Sequence, residues 1–157
     1  MEIYIQNQRF ELEISERKFL KERVVLTTNK IVIFLSEDRV LAPKVILNSW
    51  LKSYSKRLIL KRVQELAALH NFTYNRVSIR EQSTRWGSCS SEKNLNFNWK
   101  LILAPPEILD YVIIHELAHT VELNHSKAFW NVVEQAMPNY KGCRIWLRKN
   151  GDSLTID

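Results

Sequence analysis

The sequence predicts an α+β protein, in which strands and helices occupy separate stretches of the chain. Three observations lead to this fold class. Apolar and polar residues alternate before residue 42 and again at residues 77–99, whereas apolar residues recur every three or four positions between residues 44 and 70 and after residue 105. Alternation is typical of half-buried strands, and the longer period is typical of amphipathic helices. Strands, a helix, strands and then helices favour α+β over a regularly alternating α/β fold.

The first 42 residues are predicted to form a β-rich N-terminal subdomain, and residues 43–157 a second domain. The turn between two apolar runs is predicted at Thr27–Lys30, because Thr and Asn are common in hairpin turns. Pro43 then interrupts the strand pattern. The residues that alternate or form apolar runs in this segment are Ile3, Ile5, Phe10, Leu12, Ile14, Val24 to Leu26 and Ile31 to Leu35.

A long helix is predicted from about Lys44 to His70, ended by Asn71. Six basic residues follow one another along it without an intervening acid: Lys44, Lys52, Lys56, Arg57, Lys61 and Arg62. The plainer interpretation of this stretch is the solvated face of an amphipathic helix, and the alternative is a surface that binds nucleic-acid phosphates. The net charge of +6 is compatible with either. His70 is interpreted as a partner of the C-terminal helix dipole.

The C-terminal half is predicted to contain a strand followed by three helices. The segment Asn94–Trp99 alternates asparagine with apolar residues, as expected of a half-buried strand. Pro105-Pro106-Glu107 is predicted to open a helix that runs to about Leu123. Ser126 is predicted to cap the next helix. A last short helix is expected at about Lys141–Lys149, followed by a loose tail from Gly151.

Composition excludes several classes of protein. Two cysteines, Cys89 and Cys143, cannot form a disulfide framework and suit a reducing compartment. The chain shows no signal-peptide pattern and no apolar run of the roughly 18 residues that a membrane helix needs, so a cytoplasmic protein without membrane contact is expected. Three scattered glycines exclude a phosphate-binding loop and a dinucleotide fingerprint.

The segment from Tyr111 to His125, YVIIHELAHTVELNH, contains three of the four histidines of the chain. His115 and His119 are four positions apart, so they lie on one face of a helix, close enough to bind one cation. The surrounding residues are apolar almost all round, which predicts that the helix is buried. Burying two imidazoles and the Glu116 carboxylate costs several kcal/mol unless a partner satisfies them. A divalent metal ion is such a partner.

His125 is predicted to be the third metal ligand. It follows His119 too distantly for the same helical face, so a turn must bring it back, and Asn124 tolerates the left-handed conformation that such a turn would use. Three neutral imidazoles leave a fourth tetrahedral position for water, as in catalytic zinc sites. Glu122 also faces this side, where it is either a competing ligand or an acceptor for an imidazole N–H.

Three motifs together resemble the YgjP-like metal-dependent hydrolases, also described as metallopeptidases. They are RWGSCS at residues 85–90, LNFNWKLILAPPEILDYVIIHELAH at residues 95–119 and NHSKAFW at residues 124–130. A more distant resemblance is to the SprT and Spartan zinc proteases. The likeness spans residues 77–147 and implies a zincin-like core, formed by a small sheet, an active-site helix and C-terminal helices. It also implies a zinc ion bound by His115, His119 and His125, with Glu116 as the catalytic carboxylate.

The reaction implied by this resemblance is hydrolysis of peptide bonds by a zinc-bound water that Glu116 activates as general base. A polypeptide substrate would be held extended against a sheet edge, for which the Asn94–Trp99 strand is the candidate, with Asn96 and Asn98 as possible contacts. Arg85 is a candidate for binding an oxyanion, a carboxylate or a phosphate. Cys89 is either a buried structural cysteine or a thiolate near zinc, and Tyr140 is considered as a transition-state stabiliser.

Two other functions stay open at this point. A metal-dependent nucleotide phosphohydrolase, such as a pyrophosphatase, would use the same site on phosphorus, with Arg85 facing the phosphates. A DNA-associated protease of the SprT type would bind nucleic acid through the basic helix between Lys44 and Arg62.

Overall fold

The computed structural model describes residues 1–38, 40–81 and 85–154 and has the predicted α+β architecture. The described residues form two small sheets, one long helix and three shorter helices. None of the helices in these ranges combines the length and the apolar character that crossing a membrane requires.

The N-terminal sheet contains β1 (Glu2–Ile5), β2 (Gln8–Phe19), β3 (Arg23–Leu26) and β4 (Lys30–Ser36), in the order β1-β2-β4-β3. The β1–β2 and β3–β4 pairs are antiparallel, while β2 and β4 run parallel in the centre. The predicted turn between β3 and β4 is confirmed, since the Thr27 N–H donates to the Lys30 carbonyl at 2.9 Å. The alternating pattern places one set of side chains inside: Ile3, Ile5, Phe10, Ile31 and Ile33.

The helix α1 (Pro43–His70) follows and packs against both sheets and against the next helix. Its apolar stripe is buried, and Asn71 ends it in the left-handed conformation, with φ 59° and ψ 38°. Both features agree with the prediction, because an asparagine tolerates positive φ better than most residues.

The second sheet consists of β5 (Arg76–Arg80), β6 (Gly87–Cys89) and β7 (Asn94–Asn98), in the order β5-β7-β6. β7 pairs in parallel with β5 and antiparallel with β6. The prediction that β7 is the edge strand for a substrate is therefore wrong, since its backbone groups are engaged on both sides. The strand also ends at Asn98, and Trp99–Leu103 forms a 3-10 helix.

Three helices complete the described chain: α2 (Pro106–Ala118), α3 (Lys127–Ala136) and α4 (Tyr140–Asn150). The start of α2 and the Ser126 cap of α3 are as predicted, and Ser126 Oγ accepts from the Phe129 N–H at 3.3 Å. The predicted loose tail is not observed up to residue 154, because Gly151 begins a 3-10 turn and Leu154 is buried. The last three residues of the predicted tail lie outside the described ranges.

The tip of the first hairpin connects the N-terminal sheet to the segment before α2. The Gln6 N–H donates to the Ile102 carbonyl at 2.9 Å, and Gln6 Nε2 donates to the Ala104 carbonyl at 2.9 Å. Buried residues of both sheets and of α1 and α2 belong to one hydrophobic cluster. These contacts fix the start of α2 relative to the sheet; the division into residues 1–42 and 43–157 stays a prediction.

Candidate metal centre

The three clustered histidines point their Nε2 atoms at a common point. His115 and His119 lie at the end of α2, and His125 lies in the loop that follows. His125 Nε2 is 3.2 Å from His115 Nε2 and 3.1 Å from His119 Nε2. Nitrogen ligands of a tetrahedral ion, each roughly 2.0–2.1 Å from the metal, are separated by about 3.3 Å. The three rings therefore fit a single small divalent cation.

The rings of His115 and His119 each have a partner for the other nitrogen. His119 Nδ1–H donates to the Glu122 carbonyl at 3.1 Å, and His115 Nδ1 lies 3.4 Å from the Tyr111 hydroxyl. Protonation at Nδ1 leaves the Nε2 lone pair free for a metal, which is the usual arrangement around metal-binding histidines. Of the two roles considered for Glu122, the structure shows that of an acceptor, exerted through its backbone rather than its carboxylate.

Burial favours the neutral form of two of the three clustered rings, His115 and His119. It lowers the pKa of His115 to about 3, and the neighbouring His119 and His125 add to the effect. Burial also lowers the pKa of His119. A neutral imidazole can offer a lone pair to a metal ion, whereas an imidazolium cannot. The site thus favours the protonation state that metal binding needs.

The loop from His119 to Ser126 brings His125 back towards α2. The helix ends at Ala118 rather than at about Leu123, because the Thr120 N–H bonds to the Leu117 carbonyl at 3.0 Å and tightens the last turn. The expected left-handed conformation at Asn124 is not found, since the non-glycine residues with positive φ within the described ranges are Gln6, Asn7, Asn71 and Lys93. The tightened turn and the His119–Glu122 contact reverse the chain instead.

Aromatic residues of α3 support the three rings. Phe129 stacks on His119 with ring centroids 4.3 Å apart, and Trp130 stacks on His125 at 6.0 Å. Tyr140 is buried against Trp130 at 5.3 Å and does not line the cleft in front of the histidines. The structure therefore gives Tyr140 no access to a substrate, in contrast to the role considered for it from the sequence.

Glu116 lies beside the histidines and is almost fully buried, with 6% exposure. It packs on Gly87 of β6: a Cβ atom at that position would lie 2.9 Å from Glu116 Cγ and 3.0 Å from Glu116 Oε2. Burial raises the pKa of Glu116 to about 8, and the positive charge of Arg85 opposes this shift. Because Gly87 has no side chain, the Glu116 side chain can pack directly against the backbone of β6.

An open cleft of about 410 Å³ lies in front of these groups. Arg85 and Cys89 are at this cleft, whereas Asn96 and Asn98 are not among the residues that line it. Burial raises the pKa of the Cys89 thiol to about 11, which favours the neutral thiol over a thiolate. The described residues that line the cleft are Arg85, Gly87, Ser88, Cys89, His115, Glu116, His119, Leu123 and His125.

The two asparagines support the cleft from behind. Asn96 Nδ2 donates to Ser88 Oγ at 3.3 Å, and Asn98 Nδ2 donates to the Arg85 carbonyl at 3.4 Å. These contacts hold Ser88 of β6 and the backbone of Arg85, so the two asparagine side chains have a role within the sheet.

Sequence reasoning missed Tyr111, Phe129 and Gly87 as parts of the centre. Tyr111 precedes His115 by four positions, so helical spacing alone would have placed its hydroxyl near that ring. The contacts of Phe129 and Gly87 join residues from different elements and had no comparable local signal. His70, as predicted, lies apart from the metal cluster, at the end of α1.

The basic face of α1 is partly neutralised. Lys52 Nζ lies 3.1 Å from a Glu81 carboxylate oxygen, and Arg62 binds Asp110 through two hydrogen bonds of 2.7 Å. Lys56, Arg57 and Lys61 are exposed and form no ion pair with any described residue. Two of the six basic residues of the stretch, Lys52 and Arg62, therefore have ion-pair partners among the described residues.

Comparisons with known proteins agree with this geometry. A family model described as "YgjP-like, metallopeptidase domain" matches residues 1–150, including the N-terminal strands. The chain is similar in fold to the metallopeptidase zymogen abylysin of Pyrococcus abyssi, with 22% identity, a TM-score of 0.51 and coverage of 57% of this chain and 93% of that one. It is also similar in fold to the metallopeptidase zymogen jannalysin of Methanocaldococcus jannaschii, with 22% identity, a TM-score of 0.51 and coverage of 59% of this chain and 95% of that one. No significant match was found among curated proteins.

Proposed function

The chain belongs to the YgjP-like family and is a metal-dependent hydrolase of the metallopeptidase type, and from this premise we propose that it uses zinc to hydrolyse polypeptides. In this proposal His115, His119 and His125 bind the ion and Glu116 transfers protons. The observation that carries it is the convergence of three Nε2 atoms beside a buried carboxylate that is not itself a ligand in the cluster.

The donor set favours zinc over magnesium and calcium. Three imidazole nitrogens without a carboxylate or carbonyl oxygen suit zinc and do not suit magnesium or calcium. Three protein ligands also leave a coordination position open towards the cleft, as in catalytic zinc sites. When bound, zinc would acidify water and polarise a substrate carbonyl.

Glu116 is the residue placed to move the proton. In its ionised form Glu116 removes a proton from the attacking water while the water oxygen bonds to the carbonyl carbon of the scissile peptide. The carbon–nitrogen bond then breaks, and Glu116 returns the proton to the departing amine nitrogen. The products are one new carboxylic acid group, which takes the oxygen and one hydrogen of the water, and one new amine, which takes the other hydrogen.

The free edge of β6 is the surface proposed to bind the peptide backbone. Among the described strands β6 pairs only with β7, so the other edge of Gly87–Cys89 keeps its N–H and C=O groups available. An extended peptide can add to such an edge as a further strand. Gly87 and Cys89 line the cleft together with Glu116, so a peptide bound there passes the catalytic carboxylate.

The test of this proposal is Glu116→Gln in zinc-loaded protein, assayed on an unfolded protein substrate. We expect metal content to be unchanged and turnover to fall by roughly 100-fold or more, because general-base catalysis contributes about 10²–10⁴. Glu134→Gln, an exposed acid on α3, is the matched control and should keep full activity. Retained cleavage by the Glu116 variant would contradict the mechanism.

Elemental analysis of the purified protein tests the metal separately. Zinc at one equivalent per chain is the expected result, and a stoichiometric content of another metal would replace zinc in the proposal. A panel of nucleoside triphosphates, assayed in parallel for phosphate and pyrophosphate release, tests the phosphohydrolase alternative. Release that depends on Glu116, without cleavage of protein, would favour that alternative.

A contact with nucleic acid is a second proposal, supported by the exposed Lys56, Arg57 and Lys61 on α1. Changing all three to Glu should weaken DNA binding and reduce its salt dependence, because phosphate contacts release counterions. Unchanged affinity would assign these side chains to the solvated face of the helix.

A further inference from the structure

We propose that Arg85 makes the enzyme select peptides that carry a carboxylate close to the scissile bond. This inference rests on the proposed peptidase function, and it names the class of substrate. It concerns a residue that lines the same cleft as Glu116 and the three histidines but belongs to neither the metal ligands nor the proton-transfer step.

Charge is the first observation. Among the described residues that line the cleft, Arg85 is the only lysine or arginine, and Glu116 is the only carboxylate. Arg85 is exposed and forms no ion pair with any described carboxylate, although its charge acts on Glu116. Its guanidinium is therefore available to a ligand in the cleft.

Position is the second observation. The Arg85 carbonyl accepts from Asn98 Nδ2 at 3.4 Å, and the carbonyl of the next residue, Trp86, accepts from the Asn98 N–H at 2.9 Å. Asn98 is buried, with 4% exposure. The backbone of Arg85 is thus tied to the central strand of the sheet, and only its side chain is free to reach a substrate.

The direction of the cleft connects these two observations. Arg85 lies just before the first residue of β6, Gly87, on which Glu116 packs. A peptide that lies along the free edge of β6 meets Glu116 at Gly87. Where it extends past the start of the strand, it reaches Arg85. The cation therefore faces residues adjacent to the scissile bond.

A carboxylate is the group that fits this cation. The planar guanidinium can donate two parallel hydrogen bonds to the two oxygens of one carboxylate. Within a peptide, that carboxylate comes either from a free C-terminus or from an Asp or Glu side chain. Both sources present the same chemistry to Arg85, so the experiment must separate them.

The experiment compares three peptides of one sequence. The first has an internal Glu and a free C-terminal acid, and the second has the same Glu and a C-terminal amide. The third has the C-terminal amide and a Gln in place of the Glu, so it carries neither carboxylate. Zinc-loaded wild type is expected to show a higher kcat/KM for the peptides that carry the carboxylate bound by Arg85 than for the neutral third peptide. Arg85→Gln should lower the preference, measured as the ratio of kcat/KM between those peptides and the neutral peptide, by about 10- to 100-fold, mainly through KM.

Two further variants sharpen the result. Arg85→Lys keeps the charge but loses the planar fork and should restore part of the preference. Arg76→Gln removes an exposed arginine from β5, at the opposite edge of the same sheet, and should change nothing. An equal loss of kcat for all three peptides in Arg85→Gln, or no preference in the wild type, would overturn the proposal.

Binding measurements separate this inference from the proposed function. Zinc-loaded Glu116→Gln, with and without Arg85→Gln, is titrated with the same peptides by calorimetry. If carboxylate peptides bind at least about tenfold more tightly only when Arg85 is present, the inference stands, even if wild type cleaves none of them and the peptidase proposal fails. If cleavage occurs but binding is independent of Arg85, the peptidase proposal stands and the inference fails.

Discussion

The N-terminal sheet and the helix α2 treat ionisable side chains in opposite ways. In β1–β4 no described ionisable side chain is buried, and pairs such as Arg9–Glu2 and Lys30–Glu13 lie on the surface. In α2 and at its end, Glu116 and His119 have 6% and 8% exposure, next to Ile113 and Leu117 with none. The described strands of the sheet bury no ionisable side chain, whereas Glu116 and His119 are buried in and next to the helix.

The difference shows where this fold gives up stability for chemistry. An ionisable group inside an apolar helix costs several kcal/mol unless a partner satisfies it. In the proposed function a metal ion on the three histidines would supply that partner for the imidazoles, which would link metal binding and stability in this region. Substitutions in the sheet should therefore change stability alone, while substitutions around α2 should change metal affinity and turnover.

The largest expected effect is on metal affinity in His125→Ala. Removing a ligand should weaken zinc binding by about 1,000-fold, because loss of an outer partner alone costs roughly 10–100-fold. The metal-free protein should keep its unfolding midpoint, since His125 is exposed. Competition with a chromophoric chelator measures the affinity, with His70→Ala as the control that should bind zinc normally. Normal affinity in the His125 variant would mean that the third ligand is another residue.

The next effect is on stability in Ile31→Ala, in the centre of the N-terminal sheet. The side chain has no exposed surface, so its truncation should lower the free energy of unfolding by about 2–5 kcal/mol. Urea unfolding measures this, and zinc affinity of the folded fraction should not change. A parallel loss of zinc affinity would show that the sheet and the metal centre are coupled, and would contradict the expectation that substitutions in the sheet change stability alone.

A smaller and more selective effect is expected in Gly87→Ala. The new Cβ would lie 2.9 Å from Glu116 Cγ and 3.1 Å from the Asn96 carbonyl, so the carboxylate must move. We expect kcat/KM to fall by about tenfold with little change in zinc content, as positioning of a catalytic group is sensitive to small displacements. Gly142→Ala on α4 is the control. Its Cβ meets nothing within 4 Å, and it should raise stability by about 0.5–1 kcal/mol.

The smallest effect concerns the ion pair between α1 and α2. Arg62 donates two hydrogen bonds of 2.7 Å to Asp110, and both residues are partly exposed. Asp110→Asn should lower the free energy of unfolding by about 1 kcal/mol, since solvent screens such pairs. The loss should shrink at high salt. A loss above about 3 kcal/mol would indicate that this pair, rather than apolar packing, holds the two helices together.

The elements of the fold, and the shared helical face of His115 and His119 in the site, could be predicted from local sequence pattern. The alternation in β1–β4, the cap at Asn71 and the cap at Ser126 involve neighbours in the chain, and the structure agrees with them. His115 and His119 share a helical face by spacing alone. The position of β7 was mispredicted, because an alternating pattern is the same for a central strand and an edge strand; only the pairing partners differ.

The amino-acid pattern alone was enough to specify the α+β class and a helix with two histidines on one face, since both depend on contacts within a few residues. Which strand borders the cleft, how the chain returns from His119 to His125, and why Glu116 needs Gly87 beside it depend on contacts between distant segments. Many combinations of residues satisfy the same local pattern, and only close packing of the whole chain selects one of them. For that reason the motif alone predicted metal-dependent hydrolysis, whereas the positions of Arg85 and β6 around the site could be seen only in the tertiary structure.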